Sequence, residues 1–183
     1  MALRNTALEF GSLAKWLHWL VAIGICLLIW LGLEQAGMEV GAEKSAVRAT
    51  HASVALIVFG LMSIRIIWRL MNAVPEHPYS MPGWQKLSST LVHLGLYVAV
   101  FVQLLSGPMT VATGGNRLPF FGLFSIPLLI EENSDNHHFW EEVHESAWIA
   151  VAVLLIIHIL GSLYNHFIAR NDVLRRMTTG IKN

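Results

Sequence analysis

Nine histidines stand in a chain of 183 residues that is 55% hydrophobic and 13% charged, and four of them lie in or at long apolar runs. A neutral imidazole ligates metal through one ring nitrogen while the other makes a hydrogen bond. His144 and His158 are 14 positions apart. At about 100° per residue this is about 40° short of four full turns, so both rings belong to one helix face. At 1.5 Å per residue they stand about 21 Å apart along the axis. One helix therefore offers a ligand to each half of a bilayer, and each ligand needs a partner at its own depth.

The elements that position these rings are membrane spans. Four runs approach the roughly 20 apolar residues that a spanning helix needs: 16–33, 52–71, 91–112 and 147–168. The expected fold is all-α, an integral membrane four-helix bundle forming a single domain over 1–183. The first run has no cleavage site behind it and reads as a retained anchor. Pro108 in the third run is expected to kink it, because neighbouring helices can satisfy the carbonyl that proline frees. Residues 118–130 are apolar but interrupted by Pro119, Gly122 and Pro127, so an interfacial or re-entrant segment is expected there. Nine of the twelve Lys and Arg fall at the N-terminus, in or near 65–90 and in the C-terminal tail; Lys44, Arg48 and Arg117 fall on the other side. This bias places both termini in the cytoplasm.

Topology then pairs the histidines. His51 begins the second span on the outer side, level with His144. His18 lies about 22 Å below the outer end of the first span, level with His158. Two facing His at each depth, with no acidic side chain beside them in the spans, suit two bis-histidine b-type haems. They suit a hydrolytic zinc centre poorly, since that usually has three protein ligands and an open position. Cys26 is the single cysteine, which excludes a Cys-x-x-Cys-His covalent haem site. The zero net charge gives no reason to expect a nucleic-acid partner.

Other residues have weaker claims. His93, near the cytoplasmic start of the third span, is a candidate hydrogen-bond donor to a propionate or quinone, a candidate replacement ligand, or an interfacial residue. His166 points off the His144/His158 face, and an interfacial role suits it best. His77, His137 and His138 read as solvated loop residues. Arg65 and Arg69 share a helix face near the cytoplasmic pair, where they would neutralise propionates or anchor the span by snorkelling. Gly60, Gly107 and Gly161 would permit close approach of a helix or macrocycle.

Several short motifs carry a resemblance to the bacterial cytochrome b561 family, which shares its fold with the cytochrome b subunit of nickel-iron hydrogenases. They are Lys15-Trp16-Leu17-His18-Trp19, Arg48-Ala49-Thr50-His51, His93-Leu94-Gly95-Leu96-Tyr97, His144-Glu145 followed by His158, and the tail Asn171-Asp172-Val173-Leu174-Arg175-Arg176-Met177. Their order and spacing span nearly the whole chain. The resemblance implies four helices, two non-covalent b haems on His18, His51, His144 and His158, and electron exchange with a quinone such as ubiquinone in the inner membrane. One class in the family oxidises superoxide at the outer face. Here the outer loops hold nine acidic residues against three basic ones, whereas steering an anion calls for a positive surface.

The expected function is electron transfer across the inner membrane by a di-haem b-type cytochrome, between an outer-side donor and the quinone pool. The alternative is a haem-bearing membrane anchor for a partner redox subunit, which longer soluble loops would favour. A His-based metal-ion transporter fits less well, since the spans lack the acidic residues it would use.

Overall fold

The computed structural model describes residues 2–180. Lys182, one of the basic residues in the topology count, lies outside the described residues. Helix α1 runs Ser12–Ala36, α2 Ala42–Met71, α3 Gly83–Thr113 and α4 Ser134–Phe167; strands β1 (Leu118–Phe120) and β2 (Phe124–Ile126) lie between α3 and α4, and a short α5 (Val173–Met177) follows. All four long helices are long and apolar enough to cross a membrane. In hydrocarbon an unpaired backbone N–H or C=O costs several kcal/mol, so each span must close its hydrogen bonds within itself, as a helix does.

The helices, at 25, 30, 31 and 34 residues, outrun the apolar runs. Apolarity marks only the stretch in hydrocarbon, and the helical ladder continues into the polar flanks. His51 and His144 therefore lie inside their helices rather than at the first turn. Helix α3 continues through Pro108, and α4 starts early because the Asn133 side chain accepts the Asn136 N–H at 2.9 Å, an N-cap.

The bundle is built from two close pairs, α1 along α2 and α3 along α4. Gly24 sets the first approach, since a Cβ there would stand 2.5 Å from Val58 Cγ2. Val21, Val58, Met62, Val100, Leu104 and Val151 form the buried core between the pairs. Large apolar side chains such as Trp16, Ile23, Trp30, Ile64, Leu94 and Leu160 are exposed around the bundle. In a spanning protein this surface meets lipid rather than water.

Among the described residues, the N-terminal segment and α5 lie at one end, the terminus-bearing end. There Asn5 Nδ2 donates to the Ala73 carbonyl, Trp19 Nε1 to the Met177 carbonyl, and Arg176 Nη1 to the Glu76 carbonyl. These bonds tie the N-terminal segment, the 72–82 linker and α5 into one cap. The opposite end carries the β1–β2 hairpin, with Leu118 paired to Ile126. The segment expected to be interfacial or re-entrant is thus a small antiparallel hairpin in an otherwise helical protein. Phe121 and Gly122 turn it with φ 48° and 72°. Buried Ser53 of α2 pins it, its Oγ accepting the Phe121 N–H at 2.8 Å and lying 3.2 Å from the Pro119 carbonyl, while its proton is closest to the Ala49 carbonyl at 2.6 Å.

Candidate functional site

Four helix-borne histidines meet as two pairs across the gap between the helix pairs. In the terminus-bearing half, His18 of α1 faces His158 of α4 with ring centroids 6.1 Å apart. In the hairpin half, His51 of α2 faces His144 of α4 at 6.4 Å. All four rings are half-buried. The structure therefore brings together the pairs that helical depth predicts.

These separations suit a shared metal ion. A metal–imidazole bond is about 2 Å, and the ring centroid lies about 1.1 Å beyond the nitrogen, so two facing imidazoles sharing one ion would have centroids about 6 Å apart. His93 approaches His158 to 5.0 Å, shorter than that span. Its Nδ1–H donates to the Ser89 carbonyl at 2.6 Å, which leaves Nε2 as an acceptor. A further sign of an incomplete shell is His51 Nδ1, which is buried with no hydrogen-bond partner. No group of three or more His, Cys, Asp or Glu that would hold a bare metal ion occurs among the described residues. Each two-histidine site would suit a macrocycle, which brings further donors of its own.

His144 is held more firmly than the others. Ser106 Oγ lies 2.9 Å from its Nδ1, and Gln103 Nε2 lies 3.0 Å from its Nε2. The Ser106 hydroxyl also lies 3.2 Å from the Gln103 carbonyl, to which it can donate, leaving its oxygen free to accept an Nδ1–H. In that tautomer the lone pair is on Nε2, the nitrogen a metal would take, and the Gln103 amide nitrogen faces it. Gly107 sits against the same ring; a Cβ there would stand 3.2 Å from His144 Cε1. Gly60 and Gly161, expected to allow close approach, have nothing within 4 Å of where a Cβ would stand.

In the terminus-bearing half, Arg65 and Arg69 of α2 stack over the Tyr97 ring at 5.9 and 5.4 Å. Arg65 also donates to the Ala14 carbonyl at 3.4 Å. Neither guanidinium has a carboxylate partner within salt-bridge distance among the described residues. His166 is half-buried with its ring against Phe167. His77 is exposed in a linker. His138 is exposed and pairs with Glu142 at 3.4 Å, but both it and His137 lie in α4 rather than in a loop. His137 is not solvated as expected: it is half-buried and its Nδ1–H donates to the Thr110 carbonyl at 2.9 Å. The residues missed from sequence are Ser106 and Gln103. The available signal was Gln103 itself, a polar side chain in the middle of an apolar run.

A family model for prokaryotic cytochrome b561 matches residues 9–180. The chain belongs to the prokaryotic cytochrome b561 family. It is similar to cytochrome b561 homolog 2 of Escherichia coli (strain K12), 28% identical over 181 residues that cover 97% of this chain and 95% of the relative. Cytochrome b561 homolog 1 of the same organism is 26% identical over 177 residues, covering 92% of this chain and 96% of the relative. As a member of the cytochrome b561 family, the chain is a multi-pass prokaryotic membrane cytochrome that uses b-type haem for electron transfer.

Proposed function

We propose that this cytochrome carries two b haems, one held by His51 and His144 and the other by His18 and His158, and that it moves single electrons across the inner membrane between an outer-side donor and the quinone pool. The observation that carries the reading is the pair of His–His separations, 6.1 and 6.4 Å, repeated about 21 Å apart along α4. Bound b haem supplies one-electron chemistry at iron, with its potential set by ligands, burial and hydrogen bonds. The chain's residues hold each group, orient its ligands and keep bulk water out of the bundle. Two electrons, taken one at a time from the donor, and two protons convert one quinone to its quinol.

The lysine and arginine bias supports a cytoplasmic location for the terminus-bearing end. His93 supports a quinone there: with Nδ1–H committed to the Ser89 carbonyl, its Nε2 can accept a hydrogen bond from a quinol hydroxyl. The test is haem content. Pyridine-haemochrome assay of the fully loaded, purified chain is expected to approach two haems per polypeptide. A value near one would mean that one pair holds no haem, and zinc in place of haem would overturn the reading altogether.

A further inference from the structure

We infer that Ser106 is a positioning residue for His144 and that it lowers the reduction potential of the haem in the hairpin half relative to the one in the terminus-bearing half. The inference rests on the two-haem reading. Its basis is an asymmetry among four otherwise similar rings. Among the described residues, His144 alone of the four has side-chain hydrogen bonds, through Ser106 and Gln103. His51 Nδ1 is buried without a hydrogen-bond partner, and His18 and His158 pack against neighbouring rings.

Ser106 is 0% exposed, so no water competes for its hydroxyl. Its proton can rest on the Gln103 carbonyl at 3.2 Å, and once Nε2 ligates a metal the Nδ1 of His144 must carry a proton, which the Ser106 oxygen 2.9 Å away would accept. A ligating imidazole whose other N–H is hydrogen-bonded becomes a stronger donor to the metal, and its ring orientation and tautomer are fixed. A stronger donor favours the ferric state, so the potential of that haem falls. Gln103 has a complementary part. Its amide nitrogen faces His144 Nε2 at 3.0 Å, the side on which His144 would hold the haem, whereas Ser106 faces the opposite nitrogen. Next to it, Gly107 leaves room for the ring to lie against α3.

The experiment is a spectroscopically monitored redox titration of the haem-loaded full chain in detergent, comparing wild type with Ser106→Ala and Ser106→Cys. Cysteine keeps nearly the volume of serine but is a weak acceptor, so it separates hydrogen bonding from packing. The haem of the His51–His144 pair is identified as the signal lost in His144→Ala. Both Ser106 variants are expected to shift that haem to higher potential and leave the other unmoved. Unmoved potentials, equal shifts of both haems, or a shift in alanine without one in cysteine would overturn the inference. If the alanine variant does not retain the haem, the cysteine variant decides; loss of haem from both would indicate a packing role and count against it. Failure of the two-haem reading is distinguishable, because it appears as a wild-type haem content near one before any Ser106 variant is titrated.

Discussion

The two halves of the bundle solve one problem with different means. In the hairpin half the ring of His144 is fixed by hydrogen bonds from α3, and its surroundings are neutral amides and hydroxyls. In the terminus-bearing half His18 and His158 are oriented by ring packing, with His93 and Trp19 as neighbours, and two guanidiniums lie on Tyr97 close by. On the two-haem reading these differences act in the same direction. A hydrogen-bonded ligand favours the ferric state in the hairpin half, and nearby positive charge favours the ferrous state in the other. Electrons would then run downhill toward the terminus-bearing end. An asymmetric environment thus gives direction to a nearly symmetric set of ligands.

The largest expected effect comes from removing the ligands. Helix α4 holds its two histidines about 21 Å apart, too far for both to reach one iron. His144→Ala and His51→Ala are each expected to abolish one haem signal, the same one, and to leave about half the haem content. His158→Ala and His18→Ala should form the other matching pair. Low-temperature spectra and redox titrations of the four variants check this. The comparison of halves breaks if His18→Ala groups with His144→Ala, or if His93→Ala removes a haem that His18→Ala retains.

Much of this geometry was legible because spanning helices are stiff and nearly regular. A constant rise per residue turns sequence position into depth, and the short connections between spans limit which helices face one another. That is why His18, His51, His144 and His158 can be paired before any coordinates exist. The partners of His144 were harder to see. Ser106-Gly107-Pro108 reads as a place for a bend, and a serine in a membrane helix commonly bonds its own backbone, so nothing local says that this hydroxyl also reaches α4. The hairpin was hidden for a related reason. Its strands are three residues each, too short for an alternating pattern, and they are held by Ser53 from a distant helix. His137 falls in α4 rather than in a loop because the helix start depends on the Asn133 cap, not on apolarity.

The next effect in size should come from Gly107. A Cβ at this position would lie 3.2 Å from His144 Cε1, so the ring or α3 must give by a few tenths of an ångström. The ring is held on both nitrogens, which limits its freedom to retreat. Overpacking of this kind costs about 1–3 kcal/mol. Gly107→Ala is expected to weaken retention of the hairpin-half haem several-fold, read as faster loss to an excess of apomyoglobin, while the other haem is lost at the wild-type rate. Equal loss of both would mean that the glycine serves the bundle as a whole and not one half.

The smallest effect tests the other side of the comparison, the positive charge of Arg65, which bears on His18 and His158, and of Arg69, which bears on the neighbouring His93. Arg65 and Arg69 lie one turn apart on α2 and share the Tyr97 ring. Two like charges held this close, with no carboxylate within salt-bridge distance among the described residues, raise the local potential and favour the added electron of a ferrous haem. At an effective dielectric of about 20, a unit charge acting over about 10 Å would be worth about 1.7 kcal/mol. Both side chains are half-buried, so solvent and salt reduce the effect to on the order of 1 kcal/mol or less. Arg69→Gln keeps a polar side chain of similar reach and leaves the Arg65–Ala14 hydrogen bond in place. It is expected to lower the potential of the His18–His158 haem, with a smaller change in the other haem, and the difference should shrink as salt is raised. A shift confined to the His51–His144 haem would reverse the assignment of the two halves. No shift at low salt would mean that an anion already neutralises the pair in the loaded protein, and the gradient would then rest on the hydrogen-bonded ligand alone.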